Sequence, residues 1–216
     1  MNNRKTFIAE LQQQVTVIGV SKNHSISEIW DLHEDGIKIF GENRVQELSS
    51  KYIEDQPWDW HFIGHLQKNK VAKVIKMVSM IHSIDSVELV DVVEKNAKKI
   101  NKKIDVLVQL NIIEEETKFG CSLSSVDTLV NHISNCEFTR FKGFMVMGPT
   151  NQDSAVTRYV FKKANELFAK YKKTHPSVDT LSMGMSSDYL IAIEHGTTML
   201  RLGSILFNYS KNAQPQ

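Results

Sequence analysis

The chain has 216 residues, 41% hydrophobic and 24% charged, enough for one sizeable core and short for two full domains. Lysine and arginine number 26 against 25 aspartate and glutamate, a formal net charge of +1, so the overall field gives no reason to expect nucleic acid or an anionic membrane as partner. Ten glycines and four prolines are too few for a collagenous, linker-rich or disordered chain. Cys121 and Cys136 make neither a disulfide framework nor a four-ligand zinc site, and read as idle thiols in a reducing compartment. The opening MNNRKTFIAELQQQ has no apolar stretch of signal-peptide length, and no run approaches the roughly 18 residues of a membrane span, so a cytoplasmic protein is expected.

In chain order, the segment TFIAELQQQ (6–14) is followed by the strand-like VTVIGVSK (15–22) and the amphipathic SISEIWDLHEDG (25–36). In that helix Ile26, Ile29, Trp30 and Leu32 share a face, and Gly36 sits where it should stop. KIFGEN (38–43) precedes the helical RVQELSSKYI, DWHFIG (59–64) precedes LQKNKVAKVIKMV, and SMIHSID (79–85) precedes SVELVDVVEKNAKKINKK. DVLVQLN (105–111) is followed by SVDTLVNHIS, and FKGFMVMG (141–148) by DSAVTRYVFKKANELFAKYKK. TLSMGM (180–185) leads into a helix start, and TMLRL (198–202) leaves room for one short terminal helix. The opening segment is therefore a candidate to cover the barrel floor.

Near-continuous apolar runs such as VTVIGV and DVLVQL suit parallel strands covered on both faces. Eight strand-helix units in one domain, residues 1–216, predict an α/β fold, a single (β/α)8 TIM barrel close to the lower size limit of about 200 residues. A doubly wound open sheet uses the same alternation, and periodicity does not distinguish closure.

In a barrel the chemistry lies at the C-terminal strand ends. Lys22 ends the first strand run, where desolvation would make its amine a nucleophile for a carbonyl; a solvated strand-end lysine is the alternative. Ser182, Gly184, Ser186 and Ser187 follow strand seven and Gly203-Ser204 follow strand eight, the loops that commonly form a phosphate site. Ser186 and Ser204 serve equally well as helix N-caps. Arg201, one of five arginines, interrupts TMLRLGSILF and needs either a carboxylate or a ligand. Asn43 precedes Gln46 at capping-box spacing and reads as an N-cap. His61 and His65 flank Gly64, which argues for a strand end and against a metal-binding helix face. The lysine-rich helices read as solvated faces.

Taken together, VSK (20–22), FGENRVQE (40–47), WHFIGHLQKNK (60–70), IHSID (81–85), NIIEEETKFG (111–120), LSMGMSSD (181–188) and TMLRLGSILF (198–207) resemble, in order and almost end to end, the pyridoxal 5′-phosphate (PLP) homeostasis proteins, the YggS/PROSC family. The resemblance implies a barrel like the alanine racemase N-terminal domain (PLP fold type III), with PLP as a Schiff base on Lys22. It further implies Ser182, Ser186, Gly203 and Ser204 as phosphate contacts, Arg201 near the pyridine nitrogen and Asn43 beside the ring. Asn23-His24, His65 and the ending FNYS depart from the commoner family residues at the pocket rim.

The function so implied is cofactor storage, buffering or delivery in a cytoplasmic monomer that influences amino-acid and keto-acid balance, with PLP-dependent apoenzymes as candidate recipients, no nucleic acid and no membrane. Conventional catalysis is not expected. The competing reading is a PLP-dependent amino-acid racemase, which needs a second acid/base on the opposite cofactor face; in alanine racemases a tyrosine from a second domain supplies it, and this chain is expected to be too short to hold that domain. A Schiff-base aldolase using Lys22 without cofactor is the third. Lys118, in TKFG, is a second amine near the strand-five loop.

Overall fold

The computed structural model describes residues 3–115 and 118–209 and closes eight parallel strands into a barrel in sequential order. The strands are β1 (Thr16–Val20), β2 (Ile39–Glu42), β3 (Asp59–Phe62), β4 (Met80–Ile84), β5 (Ile104–Leu110), β6 (Thr139–Val146), β7 (Thr180–Ser182) and β8 (Met199–Leu202). Closure is made by β1 on β8, in register from Thr16 opposite Met199 to Gly19 opposite Leu202. The open-sheet alternative is thereby excluded.

The helices are α1 (Asn3–Gln12), α2 (Ile26–Glu34), α3 (Val45–Lys51), α4 (Val71–Met77), α5 (Val87–Lys99), α6 (Val126–Ser134), α7 (Ser154–Thr174), α8 (Tyr189–Glu194) and α9 (Ser204–Phe207). Alternation along the strands sorts the side chains into two cores. Phe40, Trp60, Phe62, Ile81, Val106, Val108, Phe144 and Leu200 belong to the large cluster shared with the helices. Met80, Leu107 and Met145, on three adjacent strands, form a separate cluster with Met147 within the barrel.

Most sequence expectations match these elements to within a residue or two, but four are corrected. Strand β7 stops at Ser182, short of the expected Met185. Gly184 turns the chain there with φ +95°, and a Cβ on it would lie 2.5 Å from Ala192 Cβ and 2.7 Å from Leu200 Cδ2. The α3 N-cap is Arg44, without a side-chain bond, so Asn43 caps nothing. Trp30 is 43% exposed, although Ile29 and Leu32 on its helix are fully buried; its ring meets Trp58 edge-on at 4.8 Å.

The fourth correction concerns α1, which lies on the barrel's flank and not across its floor. Arg4 pairs with Asp35 and Gln12 Nε2 donates to Gly36 O, both just past α2. Phe7 packs on Tyr189 at the start of α8 and on Tyr209 after α9. With α9 only four residues long, α1 covers the side that a full eighth helix would otherwise occupy, and buries Ile8 and Leu11 there.

Candidate cofactor-binding site

Lys22 lies two residues beyond β1, at the C-terminal mouth, and is exposed. Of the two readings of this lysine, its exposure matches the solvated one: the residue has already left the packed strand. Its amine makes no hydrogen bond or ion pair with any described residue.

Strand β8 brings the second half of the site alongside. Gly203 follows it in ordinary contact with the end of β1, where a Cβ would sit 3.4 Å from Val20 O. The backbone amides of Gly203 and Ile205 both donate to Ser186 Oγ at 3.3 Å. Neither Ser186 nor Ser204 is the N-cap of its own following helix: Asp188 caps α8 and Gly203 caps α9. Ser186 instead reaches across from the β7 loop to the start of α9, so an oxygen acceptor already lies where two amides converge, while Ser204 is exposed beside it. Amides and hydroxyls so disposed can hold an anion without a basic surface.

Below the mouth, Arg201 is 4% exposed on β8. Its Nη1 donates to Ser182 Oγ at 2.7 Å and its Nη2 to Val146 O at 3.0 Å. No carboxylate among the described residues pairs with it, which removes the structural partner weighed for it in the sequence. Burial pulls the guanidinium down to about 10, with Asp188 opposing at a distance, so it stays cationic at neutral pH. Ser182, expected from the resemblance among phosphate contacts, is fully buried. It accepts from Arg201 and lies 3.2 Å from His82 Nδ1, so it supports Arg201.

His82 continues this chain to His61, whose Nδ1 is 2.9 Å from His82 Nε2. Burial lowers His61 to about 3 and, with the neighbouring His61 and Arg201, takes His82 well below its usual value. Both rings are neutral at physiological pH, and a neutral imidazole can both donate and accept. His82 was not singled out from the sequence. A histidine inside the apolar run SMIHSID was the available signal, but its partners come from β3 and β7.

At the rim, Asn43 is exposed and its side chain bonds to no described residue. Its carbonyl is crowded by Gly64, where a Cβ would lie 2.1 Å away, so only glycine allows the loops after β2 and β3 to close this tightly. His65 stacks on Phe119 at 3.8 Å and pairs with Asp85 at 3.9 Å. It thus points to the rim while His61 points into the barrel. Lys118 is not free: its amine donates to Glu115 Oε1 at 3.0 Å and Gly148 O at 2.7 Å.

Three charged residues behind Lys22 also escaped the sequence reading. Glu42 is fully buried and Lys51 is 8% exposed; their ion pair is 2.6 Å long. Glu47 joins Lys51 at 3.2 Å. The only hint was Glu42 at the end of an apolar strand, since Lys51 reads as an ordinary helix-end lysine. Cys121 and Cys136 lie apart as free thiols that burial raises to about 12 and about 11, respectively.

Residues 2–211 match the family described as alanine racemase, N-terminal domain. A protein of Haemophilus influenzae named pyridoxal phosphate homeostasis protein is 36% identical over 208 residues, covering 92% of this chain and 88% of that one. The chain belongs to the pyridoxal phosphate homeostasis protein family. Among solved structures, PipY of Synechococcus elongatus PCC7942, with PLP bound, superposes with a TM-score of 0.84 at 30% identity, covering 94% of this chain and 99% of that one. The alanine racemase of Clostridium difficile 630 shares the fold at 16% identity and a TM-score of 0.76, covering 94% of this chain and 54% of that one.

Proposed function

We propose that this homeostasis-family protein binds PLP at the mouth formed by β1, β7 and β8, and stores, buffers or delivers it in the cytoplasm without conventional turnover. The observation that carries the reading is the juxtaposition of Lys22, whose amine bonds to no described residue, with the start of α9, where the Gly203 and Ile205 amides converge on one oxygen. The PLP-bound PipY structure and the names of the relatives support the same cofactor.

The donor set fits the group. The Gly203 and Ile205 amides, with the Ser186 and Ser204 hydroxyls, would hold the phosphate. Arg201 would face the ring nitrogen, fixed from behind by Ser182 and Val146 O, and Asn43 would lie beside the ring. PLP would supply an aldehyde, and the Lys22 amine would be the group to hold it as a Schiff base, with water as the by-product. Arg201 keeps its own proton at neutral pH, being lowered only to about 10. A second positive charge at the ring nitrogen is therefore disfavoured, which weakens the electron sink that carbanion chemistry needs and favours holding over turning over.

Titrating the full-length protein with PLP tests this reading. The wild type is expected to develop an absorbance band at about 420 nm, and Lys22→Ala to lose it. A wild type that stays colourless contradicts the cofactor reading. Racemisation of an amino acid by the purified protein would replace the carrier role with an enzymatic one.

A further inference from the structure

We infer that Glu47 and Lys51 on α3, held in place by Glu42, are positioning residues for Lys22, an assignment that rests on the cofactor reading above. The Lys22 amine has no hydrogen bond or ion pair with any described residue to aim it, whereas its backbone is gripped on both sides. Lys51 Nζ donates to Ser21 O, the carbonyl before Lys22, at 2.7 Å. Glu47 Oε2 accepts from the Asn23 amide, immediately after Lys22, at 2.8 Å.

The two grips are one unit. Lys51 bridges Glu42 and Glu47 at 2.6 and 3.2 Å, and Ser21 Oγ donates to Glu42 Oε1 at 2.6 Å. Asn23 has φ +63°, a left-handed conformation that asparagine tolerates better than most residues, and its amide is turned onto the Glu47 carboxylate. That same amide is the leading cause holding the Glu47 carboxyl below its ordinary value. Lysine's long stem would otherwise sweep many rotamers around a mobile loop. With Cα fixed from both peptides, the amine samples a smaller volume at the mouth, which raises its effective concentration toward the aldehyde of a cofactor whose phosphate is held at the start of α9.

This role differs from simply pinning α3 to the barrel, because it affects a ligand that links to Lys22 more than one that only occupies the seat. The test compares PLP with pyridoxine 5′-phosphate, which has an alcohol in place of the aldehyde. Dissociation constants would be measured on full-length wild type, Glu47→Ala and Glu47→Gln. Glu47→Ala is expected to weaken PLP about tenfold, as for one charge-assisted hydrogen bond, and the analogue by no more than about twofold. Glu47→Gln keeps an oxygen acceptor for the Asn23 amide and is expected to lose less PLP affinity, in the same direction. Equal losses for both ligands, or unchanged PLP affinity in Glu47→Ala, overturn the positioning role. A wild type that binds the analogue but forms no linkage to PLP defeats the cofactor reading itself, and this inference with it.

Discussion

Arg201, Ser182, His82 and His61 form a buried polar chain across the barrel interior, and its protonation has a measurable consequence. Unfolded histidine titrates near 6.5, whereas burial holds folded His61 at about 3 and His82 well below 6.5. In the interval the unfolded chain binds protons that the folded chain does not. The stabilising contribution is thus complete above about pH 6.5 and is lost as pH falls, by about 1.4 kcal/mol per pH unit for each histidine held neutral. The urea midpoint is expected to drop between about pH 7.5 and about pH 5.5, a window above most carboxylate titration, and His82→Asn should roughly halve that slope. An identical slope in the variant would remove His82 from the account. At this scale the sequence was legible where a residue broke a pattern: Lys22 ending an apolar run, Arg201 inside one, Gly203-Ser204 after a strand. It was not legible where meaning depends on a partner from another strand. Ser182 was carried by the resemblance as a phosphate contact, and its partners Arg201 and His82 come from two other strands.

Among the elements, the strands were read from composition because parallel strands covered on both faces have no alternation to obscure their apolar runs. Their ends were less legible, since strands and loops grade into one another where a turn is imposed by a neighbour. The β7 turn is such a case: Ala192 of α8 and Leu200 of β8 leave no room for a Cβ at Gly184. Gly184→Ala combines a positive φ with a clash in a packed layer and is expected to cost about 2 to 4 kcal/mol in urea unfolding. Because this turn leads to Ser186, it should weaken retention of a phosphate ligand as well. An unchanged midpoint would mean that the β7 loop is not held by this contact. The Asn43 N-cap failed for a related reason: the close pass of Gly64 against the Asn43 carbonyl fixes the chain there, and the helix begins after Arg44.

For the whole molecule, barrel closure and the place of α1 are the features that local pattern could not supply. Closure depends on the β1–β8 register, a pairing between segments almost the full chain apart. The covering role of α1 depends on the shortness of α9, together with contacts from Phe7 to Tyr189 and Tyr209. Near-neutral net charge remains compatible with binding an anionic cofactor, because amides and hydroxyls such as those at the start of α9 can hold an anion locally without a basic surface. Among the described residues no helix is long and apolar enough to cross a membrane.

In the proposed function one amine at the barrel mouth, Lys22, carries the cofactor. Borohydride reduction of the PLP-loaded full-length protein, followed by peptide mass mapping, tests it most directly. A stable pyridoxyl group is expected on Lys22 and absent from Lys22→Ala. A label on Lys118 alone, or scattered over surface lysines with Lys22 unmodified, would contradict it.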